Sequence, residues 1–453
     1  MKQISIARYS RILLYILFCT LLINVIPGCK KEDALIKQDS IVSVNASDAN
    51  ASQYSSQVID KWITMQLRLM RDAIGIPNNA FSRYYAYSGV AAFAAVAPGT
   101  LVGASFSAKL NRFNLPQATG LTPLYWPASV NTALAFINRS MYTTATVADK
   151  AAIDSLETAL NNSFLSKSNP AVIALSNAFG KEVATAVFNW SETDGYKNAG
   201  NPYTPPVGLG LWVPTPPAFA PASTPYWGNN RPIIAGDIDN TQPGPPIAYS
   251  EDANSAFYQM VKHVYIVSQH LTHDDSAQAL FWRDIPGVTS PGHWLSILQQ
   301  VIQQTQSPLD KAAFAYALTG TCLSDAAISC WQTKYHNNQV RPITYIQNVM
   351  GHTTWASLLT TPAHPEYSSA HAVISAATAD ALTALFGNIG SFTDHTYDYM
   401  GFAPRTFNSF RAIGEDAGHS RLYAGIHYQP SIDTGLIQGR KVTANILRIL
   451  NLH

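Results

Sequence analysis

Between residues 198 and 247, prolines recur too often for a helix to pass. Pro202, Pro205, Pro206, Pro214, Pro216, Pro217, Pro221 and Pro225 fall there, with Trp212, Tyr226 and Trp227 among them. Each proline removes a backbone donor and clashes with the preceding turn. Regular structure must therefore be built on either side. There, apolar residues recur at helical spacing and period-two alternation is almost absent. Helices are expected over 52–74, 82–97, 130–142, 146–164 and 169–190 before the prolines. After them, helices are expected over 250–271, 276–284, 293–303, 309–335, 368–386, 407–423 and 432–450. The fold class is all-α, a helical bundle. A helical region over 51–197 precedes the loop, and a second over 248–453 follows it. So long a stretch without regular structure either links or covers. Its aromatics favour a cover over the second half; the alternative is a plain strap between domains.

The first 28 residues read as an export signal. Lys2, Arg8 and Arg11 open it without an acid, and an apolar run from Ile12 to Ile26 follows. That run is short for a membrane span. Ile26-Pro27-Gly28-Cys29 resembles a bacterial lipobox, with Cys29 as the lipidated residue and 29–50 as a polar tether. The expected location is the cell envelope, outside the cytoplasm, in the periplasm or at the outer membrane. Cys322 and Cys330 are the cysteines left over. Eight residues apart on one helix, they are about 12 Å apart and too far to bridge. Buried thiols are the expectation, unless the helix breaks between them.

With 13% charged and 47% hydrophobic residues, the chain belongs with packed globular proteins. Lys and Arg number 29 against 28 Asp and Glu, so no broad basic surface is available for nucleic acid. Any strong anion site must be local.

Three clusters within one hundred residues supply such a site. The first is Lys334-x6-Arg341-Pro342. Seven residues return almost to the same helix face, while Pro342 places Arg341 at or just past the helix end. The second is Ser368-Ser369-Ala370-His371, where Ser369 falls at a helix N-cap and the N–H groups of Ala370 and His371 are free to meet an anion. The third is Ser420-Arg421-x5-His427, with Asp433 beyond it. A turn at Gly425 lets His427 swing back toward Arg421, and Asp433 is placed to accept from its ring. Taken singly, these are equally a solvated basic face, an ordinary serine cap and a core histidine.

Together, their order and spacing resemble the signature of the type-2 phosphatidic acid phosphatase and vanadium haloperoxidase superfamily. Asp325, Trp331, His364-Pro365-Glu366-Tyr367 and the Trp212-x-Pro-Thr-Pro-Pro stretch make the likeness closest to vanadium-dependent haloperoxidase-related lipoproteins of bacteria. The resemblance implies that Lys334, Arg341 and Arg421 hold the oxygens of a vanadate cofactor, helped by Ser369 and the backbone N–H of Ala370. It implies His427 as the axial metal ligand, or as the nucleophile in a phosphatase, and His371 as the general acid–base. Ala370 stands where the usual signature has glycine, and Asp433 lies six rather than four residues past His427.

The expected activity is vanadate-dependent oxidation of halide by hydrogen peroxide. An alternative is a metal-independent acid phosphatase that cleaves a phosphoester through a phosphohistidine. A third, of another class, is a non-catalytic surface lipoprotein that binds nutrients. Expected partners are small molecules and, through lipid on Cys29, the membrane. Relatives often pair, so a homodimer is compatible.

Overall fold

The computed structural model describes residues 50–100, 106–116, 118 and 124–452. The signal, the lipobox with Cys29 and the tether up to residue 49 lie outside the described residues. The described residues all belong to one compact unit.

The N-terminal half holds α1 (Gln57–Asp72), α2 (Ala80–Ala94), α3 (Trp126–Met141), α4 (Val147–Phe164) and α5 (Pro170–Ser191). The C-terminal half holds α6 (Ala256–Gln269), α7 (His273–Phe281), α8 (Ser290–Gln304), α9 (Leu309–Asn337), α10 (Pro342–Asn348), α11 (Ala370–Phe386), α12 (Phe410–Tyr423) and α13 (Gln429–Ile449). Among the described residues the fold is all-α except for a two-stranded antiparallel ribbon, β1 (Phe392–Asp394) with β2 (Arg405–Phe407). Neither the ribbon nor α10 is foreseen by periodicity, because each is too short to display one.

Helix starts follow local chemistry. Thr146, Ser255 and Thr289 each cap a helix through the side-chain oxygen, and Asn169 caps α5 with Pro170 at its first turn. Every side chain of α2 is buried, which its Ala- and Tyr-rich sequence permits. It crosses α9 closely: a Cβ on Gly320 would lie 2.7 Å from Ala86 Cα, and one on Gly89 would lie 2.6 Å from the Tyr316 carbonyl oxygen. This crossing joins the two halves.

The Pro-rich segment packs down onto α9 and the loop before α11. Trp212 N–H donates to the Asn338 carbonyl (2.7 Å) and Ser223 N–H to that of Ala363 (2.7 Å). The buried Asp325 carboxylate accepts both Ile233 and Ile234 N–H. Cys322 and Cys330 are free, buried thiols.

Candidate active site

The three clusters are delivered by three different backbone devices. Helix α9 presents Lys334 in its last turn and stops at Asn337, with Asn338 in the left-handed region at φ +47°. Arg341 therefore does not share a helix face with Lys334, as a continuous helix would require. It is instead the N-cap of α10, with Pro342 at the first helical position. The turn folds Arg341 back under the site. Ser369 is the N-cap of α11, and its side chain makes no capping bond. Ala370 opens that helix without a positive φ, so the missing glycine costs nothing there. Helix α12 ends at Tyr423, and Gly425 at φ +76° turns the chain so that His427 re-enters the interior.

A cavity of about 600 Å³ lies where these segments meet. Ala370, His371, Arg421 and His427 line it, together with His364, Trp331 and Asp284. Thr215, Pro216 and Ser223 of the Pro-rich segment form part of its wall. Lys334, Arg341 and Ser369 stand just behind the lining, fully buried.

Charge is out of balance here. Lys334, Arg341 and Arg421 are 0%, 0% and 2% exposed. Burial pushes the Lys334 ammonium well below its usual value and both guanidinium groups down to about 10. Lys334 spends its donors on the carbonyls of Pro365 (3.0 Å) and Glu366 (2.9 Å). Arg341 donates to the carbonyls of His364 and Ile426, both at 2.9 Å. Arg421 reaches the Trp282 carbonyl (2.7 Å), while its Nε has no partner. The buried Ser369 hydroxyl has none either. A polar group left unpaired in an interior is costly, and a second buried cation multiplies the cost. A small oxyanion would satisfy all of these at once. The residues present therefore fit vanadate, and fit phosphate equally.

The histidines are neutral by burial and by the neighbouring cations, with His371, His427 and His364 all held well below the usual imidazole range. Their proton positions follow from their partners. Arg341 can only donate, and its Nη1 lies 3.1 Å from His427 Nε2, so Nε2 is the acceptor. His427 Nδ1 then carries the proton and donates to Glu366 Oε1 at 2.7 Å. A carbonyl can only accept, so His371 Nε2, 2.9 Å from the Trp282 carbonyl, holds its proton and Nδ1 keeps the lone pair.

Asp433 is not the carboxylate that orients His427. It is exposed and accepts from Gln429 Nε2 (2.7 Å) four residues back on α13. The six-residue interval places it on the outer face of the helix. Glu366 takes the role, and it also accepts Tyr428 N–H (3.1 Å). Burial raises the Glu366 carboxyl, and Arg341 and Lys334 oppose that rise. In the sequence Glu366 stands only as part of the His364-Pro365-Glu366-Tyr367 stretch, with no role of its own. The available signal was a single acid in an otherwise acid-free approach to a helix start. Two further groups take part without a role foreseen from the sequence. His364 accepts from Arg341 Nη2 through Nδ1 (3.0 Å) and lies 5.1 Å from the Trp331 ring. Asp284 lies 3.8 Å from His371 Nε2, and burial raises its pKa to about 6 against the pull of Arg421.

Comparison with known proteins follows the same lines. The family model for the VCPO second helical-bundle domain matches residues 314–453. Among solved structures, the first bacterial vanadium-dependent iodoperoxidase is 31% identical. The match covers 87% of this chain and 96% of that one, with a TM-score of 0.78. A holo-type bacterial vanadium-dependent chloroperoxidase shares the fold at 15% identity, over 84% of this chain and 93% of that one, with a TM-score of 0.64. No curated protein sequence matches.

Proposed function

Because the chain belongs to the vanadium-dependent haloperoxidase family, we propose that it is an enzyme that oxidises halide with hydrogen peroxide using bound vanadate. The observation that carries the reading is the excess of buried positive charge around one cavity, with the Ser369 hydroxyl and Arg421 Nε unpartnered. Lys334, Arg341, Arg421, Ser369 and the N–H of Ala370 would hold the oxygens, and His427 Nε2 would bind the vanadium. When bound, vanadate supplies a Lewis acid that activates peroxide toward attack by halide.

The protein's own groups divide the remaining work. The fixed cations and the N-terminus of α11 stabilise negative charge in a site that needs no reorganisation. Glu366 holds the Nδ1 proton of His427 and keeps the Nε2 lone pair aimed inward. His371 takes and returns a proton at Nδ1; its depressed pKa keeps the ring neutral with that lone pair free.

Glu366 also favours a second reading. A carboxylate paired with a neutral histidine is the arrangement that activates a nitrogen nucleophile, so phosphoester hydrolysis through His427 is the alternative. One set of assays separates the two. Iodide, chosen because the 31% identical structure is an iodoperoxidase, and bromide are oxidised with peroxide, with and without orthovanadate. Nitrophenyl phosphate hydrolysis is measured beside them. Vanadate-dependent halide oxidation supports the first reading; hydrolysis inhibited by vanadate supports the second. Silence in both, without vanadate binding, returns the chain to a non-catalytic binding role. His427→Ala is expected to abolish either activity while circular dichroism stays unchanged, and full activity in that variant would remove His427 from its place. The lipobox reading puts this chemistry in the cell envelope. Cys29→Ser should then release the protein from the membrane fraction, and an unchanged distribution would refute that part.

A further inference from the structure

Trp282 connects the cavity to a buried cluster that lies outside it. It caps the C-terminus of α7 and is 1% exposed. Its carbonyl is shared by the two groups assigned to proton transfer and anion binding, His371 Nε2 at 2.9 Å and Arg421 Nη1 at 2.7 Å. The backbone at the end of α7 aims this carbonyl, and the buried indole packs that helix end in place. The indole N–H donates to Asp416 Oδ2 (2.6 Å), which Arg405 in turn engages through the other oxygen (3.0 Å). The indole face lies on the His293 ring, with centroids 4.0 Å apart and planes 21° off parallel. His293 Nε2 is bonded to Asp394 Oδ2 (2.6 Å), and both side chains are essentially inaccessible, at 1% and 0%.

Asp394 is itself saturated. Its second oxygen accepts the Thr396 hydroxyl (2.6 Å) and the Thr396 N–H (2.9 Å). Burial alone would raise this carboxyl, but the His293 ring and the Thr396 donors outweigh it and hold the group below the ordinary carboxylate range. His293, Asp394 and Asp416 do not line the cavity. A buried acid and imidazole pair far from solvent is rarely the cheapest way to fill a core. Here it has a defined neighbour to hold, and that neighbour holds the site.

We propose that the His293–Asp394 pair and Asp416, acting through Trp282, are positioning residues that set the ring of His371 and the guanidinium of Arg421. The inference rests on the reading of His371 as the acid–base group and Arg421 as an oxyanion donor. The groups facing His371 are Arg421, Asp284, His293 and Lys334. Loss of the clamp lets the Trp282 carbonyl drift, which frees His371 to exchange its tautomer and Arg421 to leave the anion.

The test uses the full chain and three variants, His293→Phe, Asp394→Asn and Trp282→Phe. Asp394→Asn is nearly isosteric, so at least one variant should stay folded. Nitrogen-15 NMR of the histidine rings in the anion-free protein reads the His371 tautomer directly. Wild type should hold the Nε2–H form, and the variants should populate both forms. Orthovanadate affinity should fall about tenfold or more, and kcat should fall similarly with the halide KM within about twofold. Folded variants that keep the wild-type tautomer, vanadate affinity and kcat would overturn the proposal. A wild type that oxidises no halide would remove the functional reading alone, because the tautomer measurement needs no turnover.

Discussion

At the level of single side chains, the site is defined by an interior with three buried cations and few acids to answer them. Glu366 is the carboxylate that orients His427, through Nδ1 at 2.7 Å. Glu366→Gln keeps the shape and removes the charge that raises the basicity of Nε2. Vanadate affinity is expected to fall about 10- to 100-fold, while Asp433→Asn stays close to wild type. Titration by vanadate absorbance checks both, and equal losses in the two variants would restore Asp433 to the role. The cations, both histidines and the serine cap were legible in the sequence because each sits in a short motif with a physical reason. The orienting carboxylate was not. Distance along a helix decides which face a side chain occupies, and Glu366 reaches His427 from a segment sixty-one residues away.

At the level of elements, the N-terminus of α11 is the part of the fold that must be placed most accurately. Helix α13 seats it through glycines: a Cβ on Gly435 would lie 3.0 Å from the Ser369 carbonyl oxygen, and one on Gly439 would collide with that of Val373. Gly439→Ala is expected to destabilise the protein by about 1–3 kcal/mol, since overpacking forces the two helices apart. Vanadate affinity should weaken with it, because Ser369 and His371 ride on the displaced helix. Calorimetric melting with a parallel vanadate titration checks this, and an unchanged melting temperature would refute the close seating. Most helices announced themselves through apolar spacing and caps, as at Asn169-Pro170 and the run from Leu309. The break at Asn338 did not, because a left-handed asparagine leaves no periodic trace. Reading 334–341 as one face was the consequence.

For the molecule as a whole, the site stores an unfavourable charge state that anion binding relieves. Burial disfavours the charged form of Lys334 and moves its pKa down toward neutrality. Between that lowered value and the unfolded value of about 10.4, the unfolded chain keeps a proton that the folded chain has released. Lys334 therefore adds stability to the anion-free protein as pH rises through that interval. A bound anion returns the proton, so anion affinity should decline over the same range. Melting curves of wild type minus Lys334→Met, from pH 7 to 9, isolate the contribution. The difference should grow with pH without phosphate and flatten with it; no pH dependence in either would contradict the assignment.

The central claim is that three distant segments enclose one small oxyanion. Calorimetric titration of the anion-free chain with orthovanadate tests it most directly. One site per chain is predicted, displaced by phosphate and lost in Lys334→Ala, Arg341→Ala and Arg421→Ala alike. Absence of saturable binding, or binding that survives all three substitutions, would contradict it.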